Sequence, residues 1–379
     1  MKKSFLLTTF LPLMVLPTEA QGLRPIASRV NIQSEYAPDS AVIDNECVAV
    51  GIPRPYAIQK DYGLLYQGKP SFRFELRKED NTLKDYRRGM TKGRAELSYS
   101  YATKADFQGK PFSFYAASQA VKNVYFYGKG ICPQGASMTY RFAVYIPSTL
   151  NRDASVIFAQ WHGAPDRRLV RDPQGHVRML STEEFLHLDS TTLFQREVGY
   201  HKVPSRRGFK RGEPNGWTVE TGGYPPLAFG FSQGWFYIKA NSDRQWMTDL
   251  SDRCNANPAK RGIMQAVTST YKSSVIAYKQ TFDSFPKDCW VTFQVSVTWS
   301  LYGKEKETIV RPGMLDVKME YKRKDEGKSV EAHLVKHRTL LIGRNDDMGY
   351  YFKYGIYRVA NSTVPVSYNL AGYKEERLH

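Results

Sequence analysis

Two short segments of the chain carry side chains that can move a proton. The first is Gln160-Trp161-His162-Gly163-Ala164-Pro165. In a β-strand Gln160 and His162 point to the same face, and the glycine and proline end the strand just beyond them. Imidazole titrates near neutral pH, so His162 is a candidate for general acid–base chemistry. The alternative is a histidine with a structural hydrogen-bonding role.

The second segment covers residues 350–358, with the sequence YYFKYGIYR. As a strand it places Tyr351, Lys353, Gly355 and Tyr357 on one face. Lys353 and Tyr357 are then about 13 Å apart, at ~3.3 Å per residue. That span suits contacts with neighbouring units of a chain-like substrate. The alternative is an amphipathic strand whose tyrosines only pack and expose their hydroxyls.

Oxygen-bearing side chains in turn-like contexts form a third group: Glu220, Asn241, Asp243, Asn345, Asp346 and Asp347. Such side chains on loops can form an oxygen cage for Ca²⁺. Their spacing is not that of an EF-hand, and Asx-rich turns are usually only turns. No Cys/His spacing suits zinc, and the P-loop, dinucleotide-binding, HExxH and GxSxG motifs do not occur.

The first twenty residues have the composition of a signal peptide. Lys2 and Lys3 precede an apolar run over residues 5–16, and Thr18-Glu19-Ala20 offers a small-residue cleavage site. The run is too short to span a bilayer, and no later stretch is suited to do so. We therefore expect residues 1–20 to be removed and the mature chain to be periplasmic or secreted, without membrane insertion.

The charge of the chain predicts an anionic partner. Its formal net charge is +17, and the leader accounts for little of it. A nucleic acid is the default partner of such a chain inside a cell, but export favours a sulfated polysaccharide or an anionic surface. Arginine and lysine suit anion recognition in different ways. They are dispersed along the predicted strands at Lys69, Arg73, Lys92, Arg94, Lys129, Lys239 and Arg244, among others.

Much of the chain alternates between apolar and polar residues with a period of two. The alternation is clear over residues 94–101, 227–231, 235–240, 290–300 and 315–322. Ser232-Gln233-Gly234 has the composition of a hairpin turn. The pattern predicts an all-β fold, an antiparallel sandwich or jelly roll. Four cysteines in 379 residues do not make a disulfide scaffold, and the sequence does not pair the one disulfide they would allow.

Residues 166–214 break this alternation. Ser181 and Glu184 form a capping box before a helical apolar pattern, and residues 206–211 are strongly basic. We expect a partly helical insertion that projects from a sheet body made of residues 21–165 and 215–379. The basic segment is either a solvated loop or an arm that grips a polyanion.

Eight segments run in order along nearly the whole mature chain: 29–33 (RVNIQ), 91–99 (TKGRAELSY), 127–132 (YGKGIC), 158–165 (FAQWHGAP), 222–225 (GGYP), 239–246 (KANSDRQW), 343–347 (GRNDD) and 350–359 (YYFKYGIYRV). Together they resemble the polysaccharide lyases of family 13, the heparin lyase I type. The resemblance implies a β-jelly roll with a protruding thumb, a cleft between them and a structural Ca²⁺. It implies cleavage of heparin or heparan sulfate at glucosamine-(1→4)-uronate linkages by β-elimination, which leaves a 4,5-unsaturated uronate.

On the family pattern His162 matches the base and Tyr357 the general acid. The division of the two roles rests on general chemistry, because neutral imidazole accepts a proton at neutral pH whereas a phenol is still protonated there. Arg94 and Lys353 match groups that stabilise charge or position the substrate. The resemblance also implies a set of substrate contacts, with the cysteine as cleft lining: Gln33, Lys92, Lys129, Gln160, Lys239 and Cys132.

The implied calcium ligands are Glu220, the main-chain carbonyl of Trp246, Asn345 and Asp346. Hard oxygen ligands favour Ca²⁺ over zinc. We expect a monomer whose partner is heparin or heparan sulfate. The alternatives are a non-catalytic glycosaminoglycan-binding jelly roll and a lyase for another acidic glycan such as alginate, while a nucleic-acid binder fits neither the export nor the motifs.

Overall fold

The structure, a computed structural model, is built of β-strands. It describes residues 23–25, 42–43, 47–52, 54–81, 83–85, 90–99, 132–163, 169–171, 176–179, 218–219, 224–247, 272–323, 327–346, 349–359 and 362–378. Within these residues the only helical segment is a short 3-10 turn, Glu305–Glu307. Accordingly, this part of the chain has no helix of the length and apolarity needed to cross a membrane. The expected all-β antiparallel fold is confirmed.

The larger of two main sheets, which we call the front sheet, has ten strands. In spatial order they are β15 (Lys272–Thr281), β14 (Trp235–Asp243), β13 (Leu227–Ser232), β9 (Val156–Gly163), β22 (Tyr350–Arg358), β7 (Met90–Tyr99), β3 (Cys47–Gly51) and β2 (Val42–Ile43), with β21 (Gly343–Arg344) beside β14 and β6 (Leu83–Asp85) beside β7. Strand β22, the last but one in the chain, thus lies between β9 and β7, which are far from it in sequence.

The second sheet, which we call the back sheet, has eight strands. In spatial order they are β1 (Leu23–Pro25), β4 (Ile58–Tyr66), β5 (Lys69–Leu76), β23 (Val366–Leu378), β8 (Ser137–Tyr145), β16 (Trp290–Thr298), β19 (Gly313–Lys322) and β20 (Ser329–Leu340). Its strands show the predicted alternation: in β16 the buried positions are Val291, Phe293, Val295 and Val297.

The two sheets are joined by a shared aromatic core. Phe142 of the back sheet lies 6.1 Å from Trp161, 5.7 Å from Phe229 and 5.3 Å from Phe352 of the front sheet, measured between ring centroids. All four side chains are essentially inaccessible to solvent. Burial of each such ring contributes about 1.5–3 kcal/mol, so the core fixes one face of each sheet and leaves the opposite faces for function.

Two smaller sheets complete the described structure. One contains β11 (Val177–Met179), β10 (Leu169–Arg171) and β12 (Thr218–Val219), and the other pairs β17 (Leu301–Tyr302) with β18 (Ile309–Arg311). Where it is described, the insertion at 166–214 is therefore strand and not helix. The helix expected after Ser181 and the basic segment 206–211 lie outside the described residues, as does the leader.

The structure bears on two local features, the hairpin turn and the pairing of the cysteines. The hairpin is confirmed, because β13 and β14 are joined by Gln233 and Gly234, with φ values of 52° and 77°. Such positive values are what a tight hairpin turn requires. Cys132 and Cys289 both carry buried free thiols, so no disulfide joins these two.

Candidate active site

The histidine and tyrosine segments singled out in the sequence lie side by side. In the pairing of β9 with β22, His162 is opposite Tyr351 and Gln160 is opposite Lys353. Residues that are directly opposite in an antiparallel pair point to the same side of the sheet. Because the intervening Trp161 points into the core, these four side chains lie on the other side of the front sheet, which we call the front face.

Strand β7 brings a third set of side chains to the front face. Ser98 is opposite Lys353, Glu96 is opposite Gly355, and Arg94 is opposite Tyr357. The guanidinium carbon of Arg94 lies 4.9 Å from the centroid of the Tyr357 ring. The structure therefore brings together all four residues expected to act in catalysis and the expected contact Gln160 on three adjacent strands.

Glu96 connects the members of this group. Its side chain is 1% exposed. The Gln160 amide donates a hydrogen bond to Glu96 Oε1, and the Nε atom of Arg94 lies 3.1 Å from Oε2. The carboxylate thus accepts a hydrogen bond from Gln160 on one oxygen and forms an ion pair with Arg94 through the other, and both contacts orient their partners. The alternation over residues 94–101 puts Glu96 on the same side of the strand as Arg94, but no motif in the sequence assigns it a role. Its one distinguishing signal is an acidic residue two positions from Arg94.

The contacts of His162 define which ring nitrogen is basic. Nδ1 lies 3.0 Å from the carbonyl oxygen of Gly163. In the neutral ring this contact requires the proton on Nδ1, so Nε2 is the nitrogen that can accept a proton. The imidazole centroid lies 5.8 Å from that of Tyr351. The Tyr351 ring centroid in turn lies 4.9 Å from Nζ of Lys353. Tyr351 therefore lies beside both His162 and Lys353.

The site extends along the strands rather than around a point. Tyr357 is opposite Ile157, five residues before His162, because β22 has a bulge between Tyr354 and Tyr357. At ~3.3 Å per residue the backbones of His162 and Tyr357 are about 16 Å apart. Lys353 lies between them. Such a layout suits an extended ligand that runs along β9 and β22.

Lys239 lies in line with Lys353 and Gln160 across the front sheet. It is opposite Ala228 of β13, which is opposite Gln160 of β9. Two strand spacings of ~4.8 Å place its backbone about 10 Å from that of Gln160. The side chain is 9% exposed, and burial lowers the pKa of its amine. Lys239 thus adds a cationic group to the edge of the front face.

Cys132 has a different position from the one expected. Its backbone pairs with Tyr350, and its side chain is 6% exposed within the core. Burial raises the pKa of the thiol to about 12, so the thiol is neutral and unreactive at physiological pH. The expected lining of the cleft does not fit this placement, because the core side of the sheet faces away from the front face.

The remaining expected contacts are described in part or not at all. Gln33, Lys129 and Glu220 lie outside the described residues, and Lys92 lies in β7 with its side chain outside the description. Their roles stay predictions.

Two of the expected calcium ligands are neighbours at the end of the front sheet. The amide nitrogen of Asn345 lies 3.0 Å from the Arg244 carbonyl oxygen and 3.1 Å from that of Gly303, and Trp246 follows Arg244 by two residues. The amide oxygen of Asn345 accepts a hydrogen bond from Gln134 Nε2 at 3.3 Å. Asp346 is fully buried, and its carboxylate lies 3.1 Å from Arg344 Nε. Carbonyl, amide and carboxylate oxygens of the kind found here are the ligands that a hard cation prefers, although the described residues contain no cluster of three or more His, Cys, Asp or Glu arranged to hold a metal.

Comparison with known proteins gives a consistent result. The family model described as polysaccharide lyase matches residues 37–370. Heparin lyase I of Pedobacter heparinus is 56% identical over 355 residues, which are 92% of this chain and 92% of that protein.

Solved structures are more distant. An alginate lyase of polysaccharide lyase family 7 has a TM-score of 0.35 and 11% identity, covering 85% of this chain and 83% of its own. An alginate lyase from a Chlorella virus has a TM-score of 0.34 and 8% identity, covering 83% and 88%. At these scores the similarity has no bearing on the site. The match of the family model and the 56% identity are decisive, and this chain belongs to the polysaccharide lyase family.

Proposed function

We propose that this chain cleaves heparin and heparan sulfate by β-elimination at glucosamine-(1→4)-uronate linkages. The observation that carries the proposal is the 56% identity, over 92% of both chains, to a protein named Heparin lyase I. The formal charge of +17 supports a polyanionic substrate. The cationic row on the front face, with Arg94, Lys353 and Lys239, supports the same substrate class.

The reaction needs three groups with different tasks. A base removes the C5 proton of the uronate, a cationic environment stabilises the negative charge that develops on the neighbouring carboxylate, and an acid protonates the departing O4 oxygen. Removal of the C5 proton and departure of O4 leave a C4–C5 double bond. The product therefore carries a 4,5-unsaturated uronate at its new non-reducing end.

We assign the base to His162 and the acid to Tyr357. The hydrogen bond of Nδ1 to Gly163 leaves Nε2 as the proton acceptor. Tyr357 at the other end of the site lies beside Arg94, whose positive charge stabilises the phenolate that forms when O4 takes the proton. We assign the uronate carboxylate to Lys353 and Gln160, which lie opposite each other between the two. Glu96 keeps Gln160 and Arg94 in position.

The proposal also includes a structural Ca²⁺ held by Glu220, the Trp246 carbonyl, Asn345 and Asp346. The ion would supply a fixed positive charge that ties the loop after β21 to the loop after β14. Its support is the oxygen-rich surroundings of Asn345. Calcium at a hundred times its dissociation constant would stabilise the fold by about 2.7 kcal/mol. Added chelator should therefore lower the melting temperature, and an unchanged melting temperature would remove the ion from the proposal.

We further propose a jelly-roll topology with the thumb at 166–214, removal of residues 1–20, a periplasmic or secreted location and a monomeric state. The basic start and apolar run of the leader support export. N-terminal sequencing of the exported protein should begin at Gln21, and light scattering should give the mass of one chain.

The decisive experiment measures the ultraviolet absorbance of the unsaturated uronate. Purified protein with calcium would be mixed with heparin, heparan sulfate, chondroitin sulfate and alginate in parallel. We expect a rise with heparin and heparan sulfate, and its loss in Tyr357→Phe, which should still bind heparin. A rise only with alginate would show that the chain is a lyase for a different acidic polysaccharide. Tight binding with no rise on any glycan would establish a binding module instead.

A further inference from the structure

A groove on the back sheet lies on the opposite side of the molecule from the front face. It has a volume of about 550 Å³ and is lined by residues of β4, β5, β8 and β23 together with the loops that follow β8 and precede β23. That volume lies within the range of roughly 300–1,000 Å³ that is typical of ligand sites. The sandwich core separates the groove from the front face, so no side chain belongs to both.

The floor of the groove is a row of three side chains. Asn369 of β23 is opposite Arg73 of β5 on one side and Tyr145 of β8 on the other. Two strand spacings of ~4.8 Å make the row about 10 Å wide. The Tyr145 ring lies next to the Trp290 ring, with 5.7 Å between the two centroids. The row therefore joins a cationic end to an aromatic end, which is the combination that an acidic sugar chain needs.

The two arginines of the groove are held in place by one carboxylate. Arg73 Nη2 lies 2.9 Å from Glu75 Oε2, and Arg77 Nε lies 2.8 Å from Glu75 Oε1. Arg73 also donates from Nε to Ser367 Oγ at 3.1 Å, and Arg77 stacks on the Tyr56 ring at 3.8 Å. Guanidinium groups fixed in this way lose little conformational entropy when they bind a ligand.

The hydrogen-bonding capacity that is left in the groove belongs mainly to donors. Both oxygens of Glu75 accept from arginines, and both oxygens of Asp61 accept from Asn369 or from the backbone amides of Gly63 and Leu64. In the described part of the chain no acceptor meets Nη1 of Arg73 or either terminal nitrogen of Arg77. Such donors match the carboxylate and sulfate oxygens of an acidic saccharide.

We propose that this groove is a second, non-catalytic binding site for an acidic polysaccharide, the same polymer that the front face cleaves. The inference rests on the proposed function for the identity of the polymer. Arg73 and Arg77 bind a carboxylate or sulfate, and the Tyr145 ring packs against the apolar face of a sugar. A long chain that occupies both faces is held by two sites at once, which raises its affinity, whereas a short oligosaccharide occupies one site at a time.

The test measures binding rather than turnover. The mature chain carrying Tyr357→Phe would be titrated with a heparin octasaccharide and with long heparin. We expect two octasaccharides per chain in this background and one after Arg73→Gln with Arg77→Gln. The dissociation constant for long heparin should rise about tenfold. Neutral dextran should bind to neither protein, and non-sulfated heparosan should show whether the uronate carboxylate is sufficient.

Two further variants make the result specific. Arg141→Gln removes one positive charge from β8 of the same sheet, where Arg141 lies 3.9 Å from Glu320 and outside the groove, so its binding should be unchanged. Thr149→Trp fills the groove from an exposed loop position and keeps both arginines, so it should lose the second site even if the double variant folds poorly.

The proposal is overturned if Thr149→Trp and the arginine variants bind like Arg141→Gln, or if dextran binds the groove as well as heparin does. Failure of the lyase proposal is seen separately, as the absence of unsaturated product from the wild-type chain. The stoichiometry of octasaccharide binding remains a test of the groove in that case also.

Discussion

Replacement of Gly355 by alanine is the sharpest test of how the fold builds the front face. Gly355 has φ of 140° and lies in the bulge of β22 between Lys353 and Tyr357. A Cβ atom there would lie 2.3 Å from the carbonyl oxygen of Ala95, 2.6 Å from Cα of Glu96 and 2.9 Å from the Phe74 ring. Two of these neighbours are backbone atoms of β7, which cannot rotate away.

The magnitude follows from two separate penalties. A non-glycine residue held in this backbone region costs about 1–3 kcal/mol, and an extra carbon in a packed site costs about 1–3 kcal/mol. We therefore expect Gly355→Ala to lower the free energy of unfolding by about 4 kcal/mol. Gly68→Ala is the matched control, since Gly68 also has positive φ, 76°, but its Cβ would have no neighbour within 4 Å. It should lose only about 1 kcal/mol.

Urea unfolding of the two variants, analysed with a common slope, measures the difference. In protein that is still folded, Gly355→Ala should also reduce turnover, because relief of the clash moves β22 away from β7 and so Tyr357 away from Arg94. Equal losses of stability in the two variants would show that the bulge is not tightly packed. Full turnover in a destabilised Gly355→Ala protein would show that the bulge does not position Tyr357 for catalysis.

Three other substitutions test individual contacts. Glu96→Gln keeps an acceptor for Gln160 but removes the charge beside Arg94, so kcat/KM should fall about tenfold. The loss of this partly buried ion pair should also lower stability, so the rate is compared per folded molecule, and an unaltered rate would contradict a positioning role for Glu96. Cys132→Ser buries a hydroxyl in the core and should lower stability by about 1–3 kcal/mol while the rate per folded molecule is kept; a folded but inactive variant would contradict the core placement. Burial acts to raise the pKa of Asp316, but a backbone amide and the His333 ring lower it overall. Asp316→Asn should therefore be less stable than wild type at neutral pH, and this difference in stability should disappear as the pH falls through the lowered pKa. Melting curves of both proteins across pH measure it, and a difference that does not change with pH would contradict the interaction of Asp316 with His333.

The strands and their faces could be predicted from the sequence because alternation is a local property. Residues 94–99 alternate as expected, with Ala95 and Leu97 in the core and Glu96 and Ser98 on the front face. The same holds for β22, where Phe352, Tyr354 and Ile356 are core residues. In each of these strands the apolar side chains face the core, and their alternation with polar side chains is visible in the sequence itself.

The pairing of strands could not be predicted in this way. Arg94 and Tyr357 are 263 positions apart, and nothing in either segment shows that β22 lies between β7 and β9. The side to which Cys132 points could not be predicted for a related reason. The resemblance implied a place in the lining of the cleft, whereas in the structure the residue forms a single bridge to Tyr350 and its side chain lies in the core. The side to which an isolated residue points depends on its partner strand.

The energetics of the front face explain why its charged residues occur together. Lys353 and Glu96 are each about 1% exposed, and a buried charge is strongly unfavourable without a partner of opposite sign. Among the side chains described on the three central strands, Arg94 and Lys353 are cations on this face and Glu96 is an anion. At low local dielectric, the interaction of each of these side chains with a charged ligand is stronger than in water. A uronate carboxylate bound by Lys353 and Gln160 would add a negative charge beside the Lys353 ammonium group. The burial that makes this cation costly in the free protein would therefore strengthen its attraction to the bound substrate.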